Sequence, residues 1–329
     1  MIDCGNLWAA WAALIVSFTA LAKCADLFVE SSVALAERFR MPRLLVGILL
    51  VSLATTAPEL AVSLTSALRG EPQMALGNAI GSVICDDGLA LGLCGILSAV
   101  PIAVMPRILR TSGLFLLLVQ ALAFLFVVGD YTLNRIEGVV LVTLFACYMC
   151  FLCSGRRKGQ EAAKCALPER DHPATAKPVL KIALFFAVSI AGIVVSSQFI
   201  IVSAGTIAVS FGIPKAIVAA VLVAFGTSIP EIATCVTAAV KKEGELAVGN
   251  IIGADIMNIC WVAGASAIAN DLEILPEELW FMFPWMFVIV GMMLFLLWRG
   301  YSLTRKKGLV LLCLYLVYLV SFFTLFQRS

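Results

Sequence analysis

The chain has 329 residues, 62% of them hydrophobic and 13% charged, with a mean hydropathy of +1.03 and a formal net charge of +2. Soluble domains carry about 25% charged residues, so this composition excludes a soluble globular protein and points to an integral membrane protein. So small a net charge also gives no electrostatic footprint for nucleic acid.

Apolar stretches of membrane-spanning length, about 20 residues, recur ten times. They fall at 7–30, 44–68, 73–99, 108–129, 133–154, 179–209, 214–240, 246–270, 277–298 and 307–326. The leader MIDCGN has no positive charge ahead of the first run, so a cleaved signal is not expected. On the first span Lys23, Asp26 and Glu30 recur at helical spacing, and we read them as a structural charge cluster rather than a transport group. The second span holds Pro58 and Glu59 in mid-membrane; the third carries Ser82, Asp86 and Asp87. On the fifth, Cys147, Cys150 and Cys153 form a C-x-x-C-x-x-C run with no histidine or second pair to complete a zinc site. They are expected to be buried as small hydrophobes. About Ser154 to Lys177 the chain turns hydrophilic, with mixed charge and the only histidine, His172, and reads as a flexible linker. The seventh span repeats the proline and glutamate as Pro230 and Glu231, and the eighth carries Asp255 and Asn258. Trp280 and Trp298 close the two ends of the ninth span as interfacial anchors.

Lysine and arginine orient the spans. Connections 1–2, 3–4, 5–6, 7–8 and 9–10 hold 18 basic residues, while the other connections and both termini hold four. The rich side is cytoplasmic by the positive-inside rule, so both termini lie outside.

Two segments of the chain are copies of each other. Pro42 to Ile84 aligns without a gap on the stretch 172 residues later, with 17 of 43 positions identical. Thr55 falls on Thr227, Pro58 on Pro230, Glu59 on Glu231, Asn78 on Asn250 and Gly81 on Gly253. Each copy belongs to a half of five spans, and an odd number inverts the second half in the bilayer. The expected fold is an all-α polytopic membrane protein of ten helices in two inverted five-helix repeats. Residues 1–154 form the first repeat, 155–178 a cytoplasmic linker and 179–329 the second. Inverted repeats are the architecture of alternating-access transporters, with the site at the repeat interface.

A carboxylate in hydrocarbon is costly, so two symmetric ones mark an ion site. Proline cannot continue a helix smoothly, so Pro58 and Pro230 break their spans and free carbonyls near Ser52 to Thr55 and Ala224 to Thr227. Thr55 and Glu59 face one way, as do Thr227 and Glu231. Ser82 and Asp86 share a face of the next span, matched by Ala254 and Asn258. The ligands are all oxygen, which suits Na⁺ and Ca²⁺ rather than zinc or copper. Gly77, Gly81, Gly249 and Gly253 permit close helix approach. Asp87 and Asp255 lie one step round the helix, either as supporting groups or as the lining of a water-filled path. Neither a nucleophile–base pair nor a cofactor fingerprint is present, so no enzyme activity and no cofactor are expected.

With these residues in view, the sequence resembles the cation/calcium exchanger superfamily, and within it the prokaryotic sodium/calcium exchanger type. The resemblance rests on AFGTSIPE at 224–231, SLATTAPE at 52–59, and GNAIGS and GNIIGA at 77–82 and 249–254. It extends over essentially the whole chain. It implies exchange of Ca²⁺ for Na⁺ by alternating access, in a cell membrane, by a protein working as a monomer. It also implies that the first and sixth spans slide against a fixed core. The ligands it implies are Ser52 (carbonyl), Thr55, Thr56, Glu59, Ser82 and Asp86, with Ala224 (carbonyl), Thr227, Ser228, Glu231, Ala254 and Asn258. Three positions depart from the family pattern. Ala54 replaces a glycine, Ala254 replaces a serine, and the acid and amide are exchanged between Asp86 and Asn258. Because carboxylates also take protons, proton-coupled exchange of Ca²⁺ or another divalent cation is the alternative.

Overall fold

The computed structural model describes residues 7–166, 178–211 and 226–326, with the side chains of 154–166 and of 326 left aside. Its helices are α1 (Leu7–Phe39), α2 (Arg43–Thr55), α3 (Ala57–Leu68), α4 (Pro72–Leu97), α5 (Pro106–Val127) and α6 (Arg135–Ala166) in the first half. The second half holds α7 (Val179–Ser210), α8 (Ile229–Val240), α9 (Gly244–Ala269), α10 (Pro276–Trp298) and α11 (Arg305–Phe326). Eight described helices are long and apolar enough to cross a bilayer, and the bent pair α2–α3 makes a ninth span. α8 is the described part of the predicted seventh span, whose remainder, with Ala224, lies outside the described residues. Of the predicted linker, α6 covers the part up to Ala166, and residues 167–177, with His172, lie outside.

Burial sorts the helices into layers. In α4 and α9, 72% and 83% of the apolar window is buried, against 22% in α6, α7 and α11. The first two therefore form the centre, and the outer helices turn large side chains such as Ile136, Leu180 and Leu309 outward. Only a lipid surround makes such exposure free of cost. Trp280 and Trp298 also face out, at 57% and 58% exposure, as interfacial anchors do. Cys147, Cys150 and Cys153 are exposed as well, which corrects the expectation that they are buried. A thiol behaves as a small hydrophobe, and on an outer helix the apolar surround is lipid rather than protein.

The two halves interlock. The second half of α4 packs on α11, and the second half of α9 packs on α6, so each central helix is held by the other repeat's last helix. Short strands repeat the exchange. β1 (Ile102–Ala103) pairs antiparallel with β4 (Ser302–Leu303), and β2 (Thr132–Leu133) with β3 (Leu272–Glu273). One pair joins connections 3–4 and 9–10, the other connections 4–5 and 8–9. The basic-residue count assigns the members of each pair to the same side.

Outside this core α1 and α7 lie against each other, with Phe28 on Phe186 at 4.8 Å between ring centroids. Gly192 lets Cys24 close on the α7 backbone. Ion pairs tie α1 to the core at one end. Lys241 Nζ, just past α8, lies 2.8 Å from Glu30 and 3.3 Å from Asp26, while Arg43 reaches Glu243 at 2.6 Å and Glu37 at 3.8 Å. The charge cluster read on the first span therefore closes on Lys241 of the second half.

Candidate functional site

The predicted break falls two residues ahead of Pro58. Thr56 leaves helical geometry with ψ near 0, and α2 and α3 meet at 44°. Pro58 then sits in the first turn of α3, where a missing amide hydrogen costs nothing. Ser228 takes the same backbone shape, and Pro230 opens α8 in the same way. The bonds after each break match, Leu60 N donating to Thr56 O at 3.1 Å and Ile232 N to Ser228 O at 3.0 Å. Glu59 and Glu231 thus occupy first turns of half-helices, where unpaired amides present partial positive charge to a carboxylate.

The second pair of site positions sits where α4 and α9 change pitch. Asp86 opens a π-helical turn at Asp86–Ala90, and Asn258 opens one at Asn258–Ala263. A third, Gly47–Val51, immediately precedes Ser52. Such one-turn expansions occur inside α-helices chiefly at functional sites. Ser82 lies one α-turn before Asp86.

Glu59, Glu231, Asp86, Thr55 and Ser228 are completely buried, and Thr56, Thr227, Ser82 and Asn258 nearly so. The three carboxylates approach closely enough to repel one another. Hydroxyls cross between repeats, with Thr227 beside Glu59, Thr55 and Thr56 beside Glu231, and Ser228 beside Asp86. Thr56 Oγ1 is 3.5 Å from Glu231 Oε1. Among the described residues no donor closes a hydrogen bond on either oxygen of Glu59 or Asp86, on Glu231 Oε2, or on the amide of Asn258. Buried polar atoms are satisfied with few exceptions, so this concentration of unsatisfied oxygen is a site property. Ser82 Oγ likewise has no hydrogen-bond partner among the described residues.

Other predicted residues have a different setting. The Ser52 carbonyl is not freed by the break, since it accepts the Thr56 N–H at 2.9 Å, and the Ser52 hydroxyl donates to the Ile48 carbonyl. Ala254 is fully buried on α9. Asp87 and Asp255 come within hydrogen-bonding reach of each other beside Asp86, both fully buried. Gly249 and Gly253 do permit close approach: a side chain on Gly249 would strike the Leu44 carbonyl, and one on Gly253 the backbone of Ile48. Among the described residues a Cβ at Gly77 would meet nothing within 4 Å, and one at Gly81 would meet Met282 Cε at 3.9 Å. Sequence reasoning gave no role to Asn78 and Asn250, whose side chains bond to Thr227 and Thr55 at 3.2 Å. Their only signal was identity between the two copies.

Among the described residues no three acidic, histidine or cysteine groups converge closely enough to hold a metal by themselves. A hard cation held here would draw on hydroxyl and carbonyl oxygen as well.

The model of the sodium/calcium exchanger protein family matches residues 9–154 and 181–324. The chain is 32% identical to the inner membrane protein YrbG of Escherichia coli over 81% of its own length and 82% of the relative's. It is 27% identical to the sodium/calcium exchanger MaX1 of Methanosarcina acetivorans over 94% and 97%. Among solved structures, the sodium-calcium exchanger NCX_Mj soaked with Na⁺ and Sr²⁺ superposes with a TM-score of 0.79 at 26% identity, covering 96% of this chain and 99% of that one. With a family match spanning both halves, this chain belongs to the sodium/calcium exchanger family.

Proposed function

We propose that this protein is a secondary antiporter exchanging Ca²⁺ for Na⁺ across a cell membrane, by alternating access through one shared carboxylate site. The observation that carries the reading is the meeting of Glu59, Asp86 and Glu231, drawn from both repeats and fully buried, with five of their six carboxylate oxygens left without a hydrogen-bond donor among the described residues. Three like charges in a dry interior are expensive to hold uncompensated. One Ca²⁺ or several Na⁺ neutralise most of that charge, so loaded forms cross and the unloaded form does not. The same oxygens cannot hold both ions together, which makes binding competitive and transport an exchange. Support also comes from the structurally similar sodium-calcium exchanger NCX_Mj, which carries out extracellular ion exchange with induced binding-site occlusion.

The test is uptake of radioactive calcium into proteoliposomes of purified protein, with Na⁺ inside and none outside. Uptake that follows the sodium gradient is expected, and Glu59→Gln and Glu231→Gln should each abolish it. Removing one buried charge from a site built for a divalent ion costs several kcal/mol of binding. Uptake driven by a pH gradient and indifferent to sodium would replace sodium with protons as the coupling ion. Calcium flux that needs no counter-ion would refute antiport.

A further inference from the structure

Asn78 and Asn250 are buried, at 5% and 1% exposure, and each bonds a threonine of the opposite repeat. The direction of the protons is fixed by the backbone carbonyls the chains reach, which only accept. Thr234 Oγ1 lies 2.9 Å from the Pro230 carbonyl and 3.1 Å from the Glu231 carbonyl. A carbonyl only accepts, so the Thr234 hydroxyl spends its proton there. The Thr234 oxygen then accepts from Asn250 Nδ2 at 3.2 Å, which fixes the amide with its NH₂ toward Thr234. Asn250 Oδ1 is left facing Thr55 Oγ1 at 3.2 Å, so Thr55 donates to it. The Ser52 carbonyl, at 3.4 Å, and the neighbouring Glu231 carboxylate are the acceptors that compete for that proton.

The second chain runs the opposite way between the repeats. Asn78 Nδ2 donates to Ser63 Oγ at 2.9 Å and points to the Glu59 carbonyl at 3.5 Å. Its Oδ1 accepts from Thr227 Oγ1 at 3.2 Å. A hydroxyl beside a carboxylate would otherwise turn its hydrogen to that carboxylate, and a hydrogen aimed into the site repels a cation. A hard cation needs the lone pair instead.

We propose that Asn78 and Asn250 are positioning residues for the cargo. Each takes up the hydroxyl proton of the other repeat's threonine, so that Thr55 and Thr227 present lone pairs to the cation without the asparagines touching it. Each repeat thereby orients a ligand of the other, and the two half-sites are completed only when the repeats are docked. The proposal rests on reading this as a cation-exchange site, and its test is chosen to separate the two.

The measurement is cation binding by the purified full-length protein, read from the rise in its unfolding temperature as CaCl₂, SrCl₂ or NaCl is titrated. Asn250→Ala and Thr55→Val should each weaken calcium binding by about tenfold, the worth of one well-directed hydrogen bond. The double variant should be no weaker than Thr55→Val alone, because the asparagine acts through that hydroxyl. Asn250→Ala combined with Thr227→Val should instead multiply to about a hundredfold, since Asn78 serves Thr227. Should Asn250→Ala fail to fold, the reciprocal cycle of Asn78→Ala with Thr227→Val carries the same expectation. Multiplying losses within the Asn250–Thr55 pair, in a protein whose wild type responds to calcium, would overturn the positioning role and leave the proposed function standing. A wild type stabilised by none of the three cations would overturn both.

Discussion

At position 254 the second repeat carries a methyl group where the first carries the hydroxyl of Ser82. The methyl is fully buried on the central helix α9, four residues before Asn258. The resemblance to the family pattern implies a sodium ligand at this position, while Glu59, Glu231, Thr55 and Thr227 are untouched by the change. Ala254→Ser is therefore expected to strengthen sodium binding with little change for calcium. One added oxygen ligand in a dry site is worth about 1–2 kcal/mol, a fivefold to thirtyfold gain. Sodium titrations of calcium efflux from wild type and variant measure it, and an unchanged sodium dependence would remove position 254 from the site.

The elements around the site are held by backbone contact as much as by side chains. On α9, Gly249 and Gly253 admit the backbone of α2 so closely that a Cβ at Gly249 would sit 2.9 Å from the Leu44 carbonyl carbon and 3.0 Å from its Cα. Main chain cannot swing away as a long side chain does, so Gly249→Ala should cost about 1–3 kcal/mol through overpacking. Gly291, inside α10, has no atom of the described residues within 4 Å of its notional Cβ, so Gly291→Ala should leave stability unchanged or slightly raised. Thermal unfolding of the two variants in detergent compares them directly. Equal unfolding temperatures would mean that α2 and α9 have room to part. The same closeness explains the glycine of the repeated Gly-Asn stretch, which brings Asn250 against α2 and within reach of Thr55.

For the molecule as a whole, strand pairing and charge counting give one consistent topology. β1 and β4 bring together two connections on the basic-rich side, and β2 and β3 two on the other. A cysteine replacing exposed Asp130, next to β2, should react with an impermeant thiol reagent applied outside intact cells. One replacing exposed Lys306, after β4, should react only once the membrane is opened. Both are placed in a background cleared of the 11 native cysteines. The reverse pattern would invert the protein, and reaction of both from outside would break the inverted-repeat topology. α1 and α7 stand apart in this plan, tied to the core at one end by the partly exposed pairs of Lys241 with Asp26 and Glu30. Exposed ion pairs contribute only about 0–1 kcal/mol, so this tether restrains the α1–α7 pair weakly.

The sequence by itself determined the membrane class, the spans, the inverted duplication and the paired glutamates behind the broken helices. Lipid makes these features local, since each span must be apolar over its own length and each intramembrane charge is conspicuous against that background. The described helices accordingly begin and end within a few residues of the apolar runs, apart from α1 and α6, which extend about ten residues farther, and α8, which is only the described part of its span. Tertiary structure decided what depends on neighbours far along the chain. The π-helical turns at Asp86 and Asn258 follow no local pattern in the sequence. Cys147, Cys150 and Cys153 are as apolar facing lipid as facing protein, so composition could not choose between the two. Asp26 and Glu30 found their cation more than 200 residues away, in Lys241. Asn78 and Asn250 took their role from threonines of the other repeat, because a proton's direction is set by the acceptor it meets and only the docked repeats supply that acceptor.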